Sequence, residues 1–278
     1  MTETALAAEG VKALADLLRG GDVVALTGAG VSTDSGIPAY RDEEGRWQQS
    51  APMQFRDFTG SVLARQRYWA RSMVGWQRMA GAEPNPAHRA LFELERRGLL
   101  RLLITQNVDG LHSAAGSQNV VDLHGRLDRV ICLDCKSLSP RSELQARLVA
   151  ENAEFLGQNF VARADGDVEL SVDYERFRLA PCTACGGTLK PDVVFFGENV
   201  PAPRVELAMA SLQGARALLI AGSSLMVFSG FRFARAAARL GVPIAVVNRG
   251  KTRADELAAL CVAGNVGELL GGALRAAS

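Results

Sequence analysis

Two thiol pairs, Cys132-x-x-Cys135 and Cys182-x-x-Cys185, have the spacing that lets each pair close on one metal ion. Together they supply four thiolates, enough for a tetrahedral site with no position left for water, and such a site is structural. The run from Cys135 to Cys182 is longer than in a compact zinc ribbon, so a redox pair or two unrelated turns stay open on spacing alone. The first residues lack the basic start and long apolar run of a secretory leader, and in that setting paired cysteines suggest metal before disulfide. Cys261 stands alone.

A second kind of chemistry lies in Thr27-Gly28-Ala29-Gly30-Val31-Ser32-Thr33. It follows the apolar run Asp22–Thr27 and is expected to open a short helix. Glycines there let backbone approach a pyrophosphate, and a helix N-terminus offers free N–H groups. Thr33 replaces the third glycine of the dinucleotide fingerprint, and no strand ending in an acid follows about 20 residues later. A tight strand-to-helix turn therefore remains an alternative. Of the three histidines, His124 ends an apolar run before Gly125, where a strand's carboxyl end would face a ligand crevice. An ordinary imidazole pKa, about 6.5, suits a general base. His88, in Pro86-Ala-His-Arg89, and His112 read as structural.

These residues need a frame. Val11–Arg19 has helical apolar spacing and is stopped by Gly20-Gly21. Short apolar runs recur at Leu102–Thr105, Val120–Leu123, Val193–Phe196, Ala217–Ala221 and Ile244–Asn248, with helical stretches at Pro86–Arg97, Val205–Leu212 and Gly230–Leu240. Runs apolar on both faces, alternating with helices, predict an α/β fold: a Rossmann-like, doubly wound parallel sheet with a second, smaller zinc-binding domain. Residues 1–40, 83–130 and 190–278 would form the large domain. Two stretches break the rhythm, 41–82 with its aromatic residues Trp47, Phe55, Phe58, Tyr68, Trp69 and Trp76, and 131–189 with the cysteines. They would form the small one, with Glu151–Leu179 a surface loop. The 278 residues are 48% hydrophobic and 22% charged, with a net charge of +1. No field of one sign would draw the chain to nucleic acid or membrane, and no apolar run reaches the ~18 residues that span a bilayer. A soluble, cytoplasmic protein is expected; the sequence does not give its oligomeric state, with a monomer favoured.

The string Gly28-Ala-Gly-Val-Ser-Thr-Asp-Ser-Gly-Ile-Pro-Ala-Tyr-Arg41 resembles the sirtuin signature. Further matches follow in order: Thr105-Gln-Asn-Val-Asp-Gly-Leu-His112, Leu123-His-Gly125, the cysteine pairs, Leu189-Lys-Pro-Asp-Val-Val-Phe-Phe-Gly-Glu198, Gly222-Ser-Ser224 and Asn248-Arg-Gly250. Tyr40 before Arg41 and the string Tyr68–Trp76 resemble the class II branch, within it the mitochondrial sirtuin-four type.

The resemblance implies NAD-dependent removal of acyl groups from protein lysines, giving nicotinamide and O-acyl-ADP-ribose, with acyl-lysine proteins as substrates. It implies NAD as cofactor and one structural zinc per chain on Cys132, Cys135, Cys182 and Cys185. It makes His124 the base, with Asn107 beside it on the nicotinamide. It puts Gly28, Ala29, Gly30, Ser32, Ile37, Pro38, Tyr40 and Arg41 on the cofactor, with Gln106, Asn107 and Asp109. Gly222, Ser223, Ser224, Asn248, Arg249, Gly250 and Val266 take its adenosine side. Val194, Phe196 and Gly197 would pair with the substrate backbone. Tyr68 and Arg71 have the Tyr-x-x-Arg spacing that a related branch uses for acidic acyl groups, while the sirtuin-four likeness suggests bulkier or branched ones. Rival readings are a protein ADP-ribosyltransferase, a catalytically idle NAD-binding regulator, and a zinc-ribbon nucleic-acid binder, the last opposed by the charge.

Overall fold

The computed structural model describes residues 3–42, 44, 46, 52–157, 161–162, 168–169 and 172–277. Trp47 and parts of the expected 151–179 surface loop lie outside the described residues.

The chain runs through α1 (Glu3–Arg19), β1 (Val23–Thr27), α2 (Phe55–Gly60), α3 (Val62–Ala80), α4 (Pro86–Arg96), β2 (Leu100–Thr105), α5 (Leu111–Ala114) and β3 (Val120–Asp122). Then come β4 (Gly125–Cys132), β5 (Leu138–Pro140), α6 (Arg141–Glu151), the two-residue strands β6 (Val161–Ala162) and β7 (Val168–Glu169), and β8 (Leu189–Val193). The last part holds α7 (Ala202–Leu212), β9 (Ala217–Ala221), α8 (Phe228–Arg239), β10 (Ile244–Asn248), β11 (Leu260–Ala263) and α9 (Val266–Ala276).

Six strands form one parallel sheet in the order β11-β10-β9-β1-β2-β3. Every residue of β1 is buried, because the pleat sends alternate side chains to two cores. Val23 and Ala25 join Leu14, Leu18, Leu91 and Leu270 of α1, α4 and α9. Val24 and Leu26 join Leu212, Phe233 and Ala237 of α7 and α8. Each such leucine contributes roughly 1.5–3 kcal/mol by leaving water. The doubly wound sheet is the one the apolar runs predicted. At the start of α4, the Asn85 side chain accepts the N–H groups of Ala87 and His88, and His88 Nδ1 accepts the Asn85 N–H at 3.3 Å. Pro86 costs nothing there, since its missing N–H would lack an intrahelical partner anyway.

A third core joins α2, α3 and α6 to a three-stranded antiparallel sheet, β5-β4-β8. Phe58, Trp69, Met73, Leu144 and Phe177 meet there. Arg141, 1% exposed, lies between the rings of Trp69 and Trp76, 5.3 and 4.8 Å from their centroids.

Three sequence expectations shift. Val193–Phe196 is not a strand of the parallel sheet; the strand is Leu189–Val193, and it pairs antiparallel with β4. The segment after β1 is no α-helix but two successive 3-10 turns, Ala29–Val31 and Thr33–Ser35. β11 is a sixth strand the apolar runs did not announce. Among the described residues no helix is long and apolar enough to cross a membrane.

Candidate active site

The chain leaves β1 toward β2 and β3 on one side, then returns to build β9, β10 and β11 on the other. The crevice at the carboxyl ends, where the strand order reverses, is where ligands sit in open α/β sheets. A cavity of ≈ 530 Å³ lies there, lined by residues that follow β1, β2, β3, β9, β10 and β11.

The loops after β1 and β9 touch backbone to backbone. Gly30 N–H donates to Gly222 O at 2.8 Å, and Gly28 N–H to Ala221 O at 3.3 Å. Gly222 has φ +60°, and a Cβ on it would lie 2.5 Å from Val31 N. A side chain at either place would separate the loops. Gly28, Ala29, Gly30, Tyr40 and Arg41 lie on the cavity wall, as do Gly222, Ser223, Ser224, Asn248, Arg249, Gly250 and Val266.

A buried polar network backs this wall. Asn107 Nδ2 donates to Gly28 O at 3.1 Å and to Ser32 Oγ at 3.0 Å. Ser32 Oγ donates in turn to Asp109 at 2.7 Å. Burial raises the Asp109 pKa, and hydrogen bonds from Leu111 N–H and Ser32 hold it down in part. Asn107 is therefore fixed in orientation before any ligand arrives. Ser32 and Asp109 stand behind the wall as supports, because their polar atoms are spent on each other. Ile37 and Pro38 are also off the wall. Gln106 Nε2 donates to Thr27 O at 3.1 Å and Ser223 Oγ at 2.8 Å, tying β1, β2 and β9 together on the cavity side.

His124 follows β3 and reaches the cavity. Its Nδ1 lies 2.9 Å from Gln106 O. A carbonyl only accepts, so Nδ1 carries the proton and Nε2 keeps its lone pair in the neutral ring. Nε2 accepts the Ser229 hydroxyl at 2.8 Å. Burial lowers the His124 pKa below 6.5; the Gln106 carbonyl pulls it up, and Arg204 and Arg232 push it down further. The ring is neutral at pH 7 and can take a proton at Nε2.

On the other wall, Val194 N–H donates to His124 O at 2.8 Å, and Phe196 O accepts from Phe55 N–H at 2.9 Å. Val194, Phe196, Gly197 and Tyr68 line the cavity. Arg71, one turn after Tyr68 on α3, does not: it is 6% exposed and buried away from the wall. Lys190, 4% exposed, donates to Val193 O and to Glu198 at 3.1 Å; Glu198 also accepts the Phe195 N–H. This pair shapes the 193–198 bend. Leu225 to Phe228, expected from the sequence as the opposite wall, line the cavity, and so do Ser229 and Arg232 on the first turns of α8, which the sequence did not single out.

The four paired cysteines meet at the far end of β4. Their sulfurs all lie within 4.8 Å of one another, with Cys132–Cys185 at 3.5 Å and Cys135–Cys182 at 3.8 Å. A tetrahedron with Zn–S bonds of about 2.3 Å has edges of about 3.8 Å, so the cluster fits zinc. Each pair sits on the same turn. Lys136 N–H donates to Cys132 O with Lys136 at φ +62°, and Gly186 N–H donates to Cys182 O with Gly186 at φ +75°. Zinc there would clamp the 132–135 turn, at the end of β4, to the 182–185 turn that leads into β8.

The sequence pattern of the Sir2 family matches residues 28–229. The NAD-dependent protein deacetylase of Xanthomonas campestris pv. campestris (strain 8004) is 57% identical over 238 residues, 85% of this chain and 81% of that protein. NAD-dependent protein deacetylase 1 of Streptomyces coelicolor is 53% identical over 258 residues, 92% of this chain and 86% of that one. A solved complex of Sir2 with a p53 peptide and NAD+ is 29% identical and covers 94% of this chain and 95% of its own, with a TM-score of 0.73. The matched span runs from the first cavity glycine through His124 and both cysteine pairs to Ser229, and with it this chain belongs to the Sir2 family.

Proposed function

We propose that this protein is an NAD-dependent protein-lysine deacylase with His124 as its base. The observation that carries this is the His124 tautomer: Nδ1–H is committed to Gln106 O, leaving Nε2 basic and turned to the Ser229 hydroxyl on the cavity side. The donor set fits the cofactor. Two ribose diols and a pyrophosphate need hydroxyl, amide and cationic partners, and Thr33, Ser223, Ser224, Gln106, Asn107, Asn248, Arg41 and Arg249 line the cavity. NAD, when bound, supplies a glycosidic bond whose breakage leaves a sugar carbon open to the acyl oxygen of the modified lysine.

Each residue then has a task. Asn107, oriented by Gly28 O and Ser32, presents its amide to the leaving nicotinamide. Nε2 of His124 removes a ribose hydroxyl proton. Val194 to Glu198 on one side and Leu225 to Phe228 on the other hold the substrate backbone as an added strand. Tyr68, Leu127, Val193 and Phe195 give an apolar wall for the acyl chain and keep water out. In this reading residues 1–40, 83–130 and 190–278 form the cofactor domain, and 41–82 with 131–189 the small one. Tyr40 and Tyr68–Trp76 support a class II, sirtuin-four-like subtype. A cytoplasmic location with a monomer favoured completes this reading.

The test is turnover of acetyl, succinyl, glutaryl, methylglutaryl, lipoyl and long-chain lysine peptides with NAD, read as O-acyl-ADP-ribose. Turnover of at least one acyl type, lost in His124→Tyr with the fold intact, is the expected result. An active His124→Tyr enzyme sinks the base assignment. Label transferred from NAD to protein, with no peptide turnover, would favour ADP-ribosyl transfer instead.

A further inference from the structure

α8 starts at the mouth of the cavity, and its first turns put three side chains on the wall: Phe228, Ser229 and Arg232. The acidic groups of the wall have evident commitments. Asp42 accepts from Arg46. Glu198 accepts from Lys190 and the Phe195 N–H. Arg41 follows the glycine loop and Arg249 follows β10, both at the cofactor end of the proposed site. Arg232 is different. Its Nε is buried and has no hydrogen-bond partner among the described residues. Its guanidinium lies 5.6 Å from the centre of the Phe228 ring, which covers it with apolar surface and offers no carboxylate. A buried guanidinium nitrogen without an acceptor is costly, and the group that answers a guanidinium best is a carboxylate.

The position says where that carboxylate comes from. Ser229, one turn before Arg232, touches Nε2 of His124. Phe228, beside Arg232, is 52% exposed. Arg232 thus lines the cavity on the same helix turns as Ser229, which touches His124, and Phe228, which is exposed. The enclosed apolar wall of Tyr68, Leu127, Val193 and Phe195 belongs to other elements: α3, β4, and β8 with the bend that follows it. An acyl chain is served by that apolar wall; the mouth is served by residues of the substrate protein. We propose that Arg232 binds an aspartate or glutamate side chain lying next to the acyl-lysine in the substrate, so that the enzyme selects lysines in acidic surroundings. This rests on the deacylase reading and adds the substrate class to it.

The experiment uses the full chain with NAD and lysine peptides bearing each acyl group of the panel above, carrying Glu, Gln or Lys at each position within three residues of the modified lysine. Turnover gives kcat/KM, and fluorescence anisotropy of the same peptides gives binding. At the best position Glu should exceed Gln by about fivefold, the upper end for a partly exposed ion pair, mostly through KM, and the excess should shrink in high salt. In Arg232→Gln the ratio should fall to about one, as expected for a lost pair. Arg232→Glu should prefer the Lys peptides, a gain that misfolding cannot imitate. The inference is overturned by equal use of Glu and Gln peptides in the wild type, by a Glu preference that survives Arg232→Gln, or by an Arg232 effect confined to succinyl and glutaryl chains. Charge-dependent binding without any turnover would refute the deacylase reading and leave the acidic subsite standing.

Discussion

Replacing Gly30 with alanine tests whether the proposed cofactor end of the cavity depends on two loops lying backbone to backbone. A Cβ on Gly30 would meet Gly222 O at 2.9 Å, its Cα at 3.0 Å and its carbonyl carbon at 3.1 Å. All three are main-chain atoms and cannot swing aside like a side chain. The same carbonyl accepts the Gly30 N–H at 2.8 Å, so parting the loops strains that bond as well. An overpacked methyl costs about 1–3 kcal/mol and a lost hydrogen bond about 1 kcal/mol. The sum, about 2–4 kcal/mol, lowers Tm by about 4–8 °C at about 2 °C per kcal/mol for a chain of this size. The readout is thermal melting with and without NAD, because a ligand that binds only the folded state raises Tm. Both the apo Tm and the NAD-induced rise should fall. Gly60→Ala is the control: a Cβ there meets nothing within 4 Å. If Gly30→Ala melts within about 1 °C of wild type and keeps the full NAD-induced rise, the close approach of the loops does not explain the glycine.

Acid should act on both rate and stability. His124 has its pKa lowered by burial, so kcat/KM should be flat near neutrality and fall in acid with a midpoint below 6.5; a midpoint above 6.5 would contradict the neutral, Nδ1-protonated ring. His88 has its pKa lowered to about 4 by burial. The unfolded chain therefore takes up this proton first, and the stabilisation, complete above 6.5, is lost as pH falls through the folded value. The His88 contribution should drop by about 2 kcal/mol between pH 7.5 and pH 5; urea unfolding would show it, with a flatter dependence in His88→Gln. Metal analysis should find one zinc per chain, and Cys132→Ser or chelation should lower Tm before it alters residual turnover; well under one zinc per chain would refute the four-sulfur site. Arg141→Met should nearly keep the wild-type Tm, because a buried charge exchanged for an apolar side chain of similar volume costs little. Arg141→Ala, which empties the space between two tryptophans, should cost about 2–5 kcal/mol.

The sheet was legible in the sequence where strands are buried on both faces. β1, β9 and β10 are continuous apolar runs, and their burial is complete or nearly so. β11 was not legible because it is a short edge strand with only Val262 fully turned in. β4 did carry a signal: Leu127, Val130 and Cys132 turn in while Asp128 turns out. Three charged residues in Gly125–Cys132 masked that period. The 193–196 run misled for the opposite reason. It is apolar on both faces because it lines a cavity on one side, while the strand itself lies upstream and contains Lys190 and Pro191. In the cavity, the glycine loops, the 106–109 loop and His124 were readable as motifs. Ser229 and Arg232 were not, since helical spacing alone does not say that α8 opens on the same cavity. Nor could motif order say that Ser32 and Asp109 would spend their polar atoms on each other behind the wall.

β1 sits at the middle of the sheet with Val23 beside Leu100 on one flank and Ala217 on the other. During synthesis the first flank closes early. The second stays open until β9 has left the ribosome, a delay of about 10–40 s at ~5–20 residues per second. Throughout that interval the nascent chain carries an unpaired edge on a strand with no outward polar side chain, a template for pairing with another copy. Loop closure over such a length adds little to the free-energy cost, since the penalty grows only with the logarithm of length. The burden is kinetic instead. Overproduction or slow codons between β3 and β9 should each lower the yield of soluble chain without touching a single contact of the finished fold.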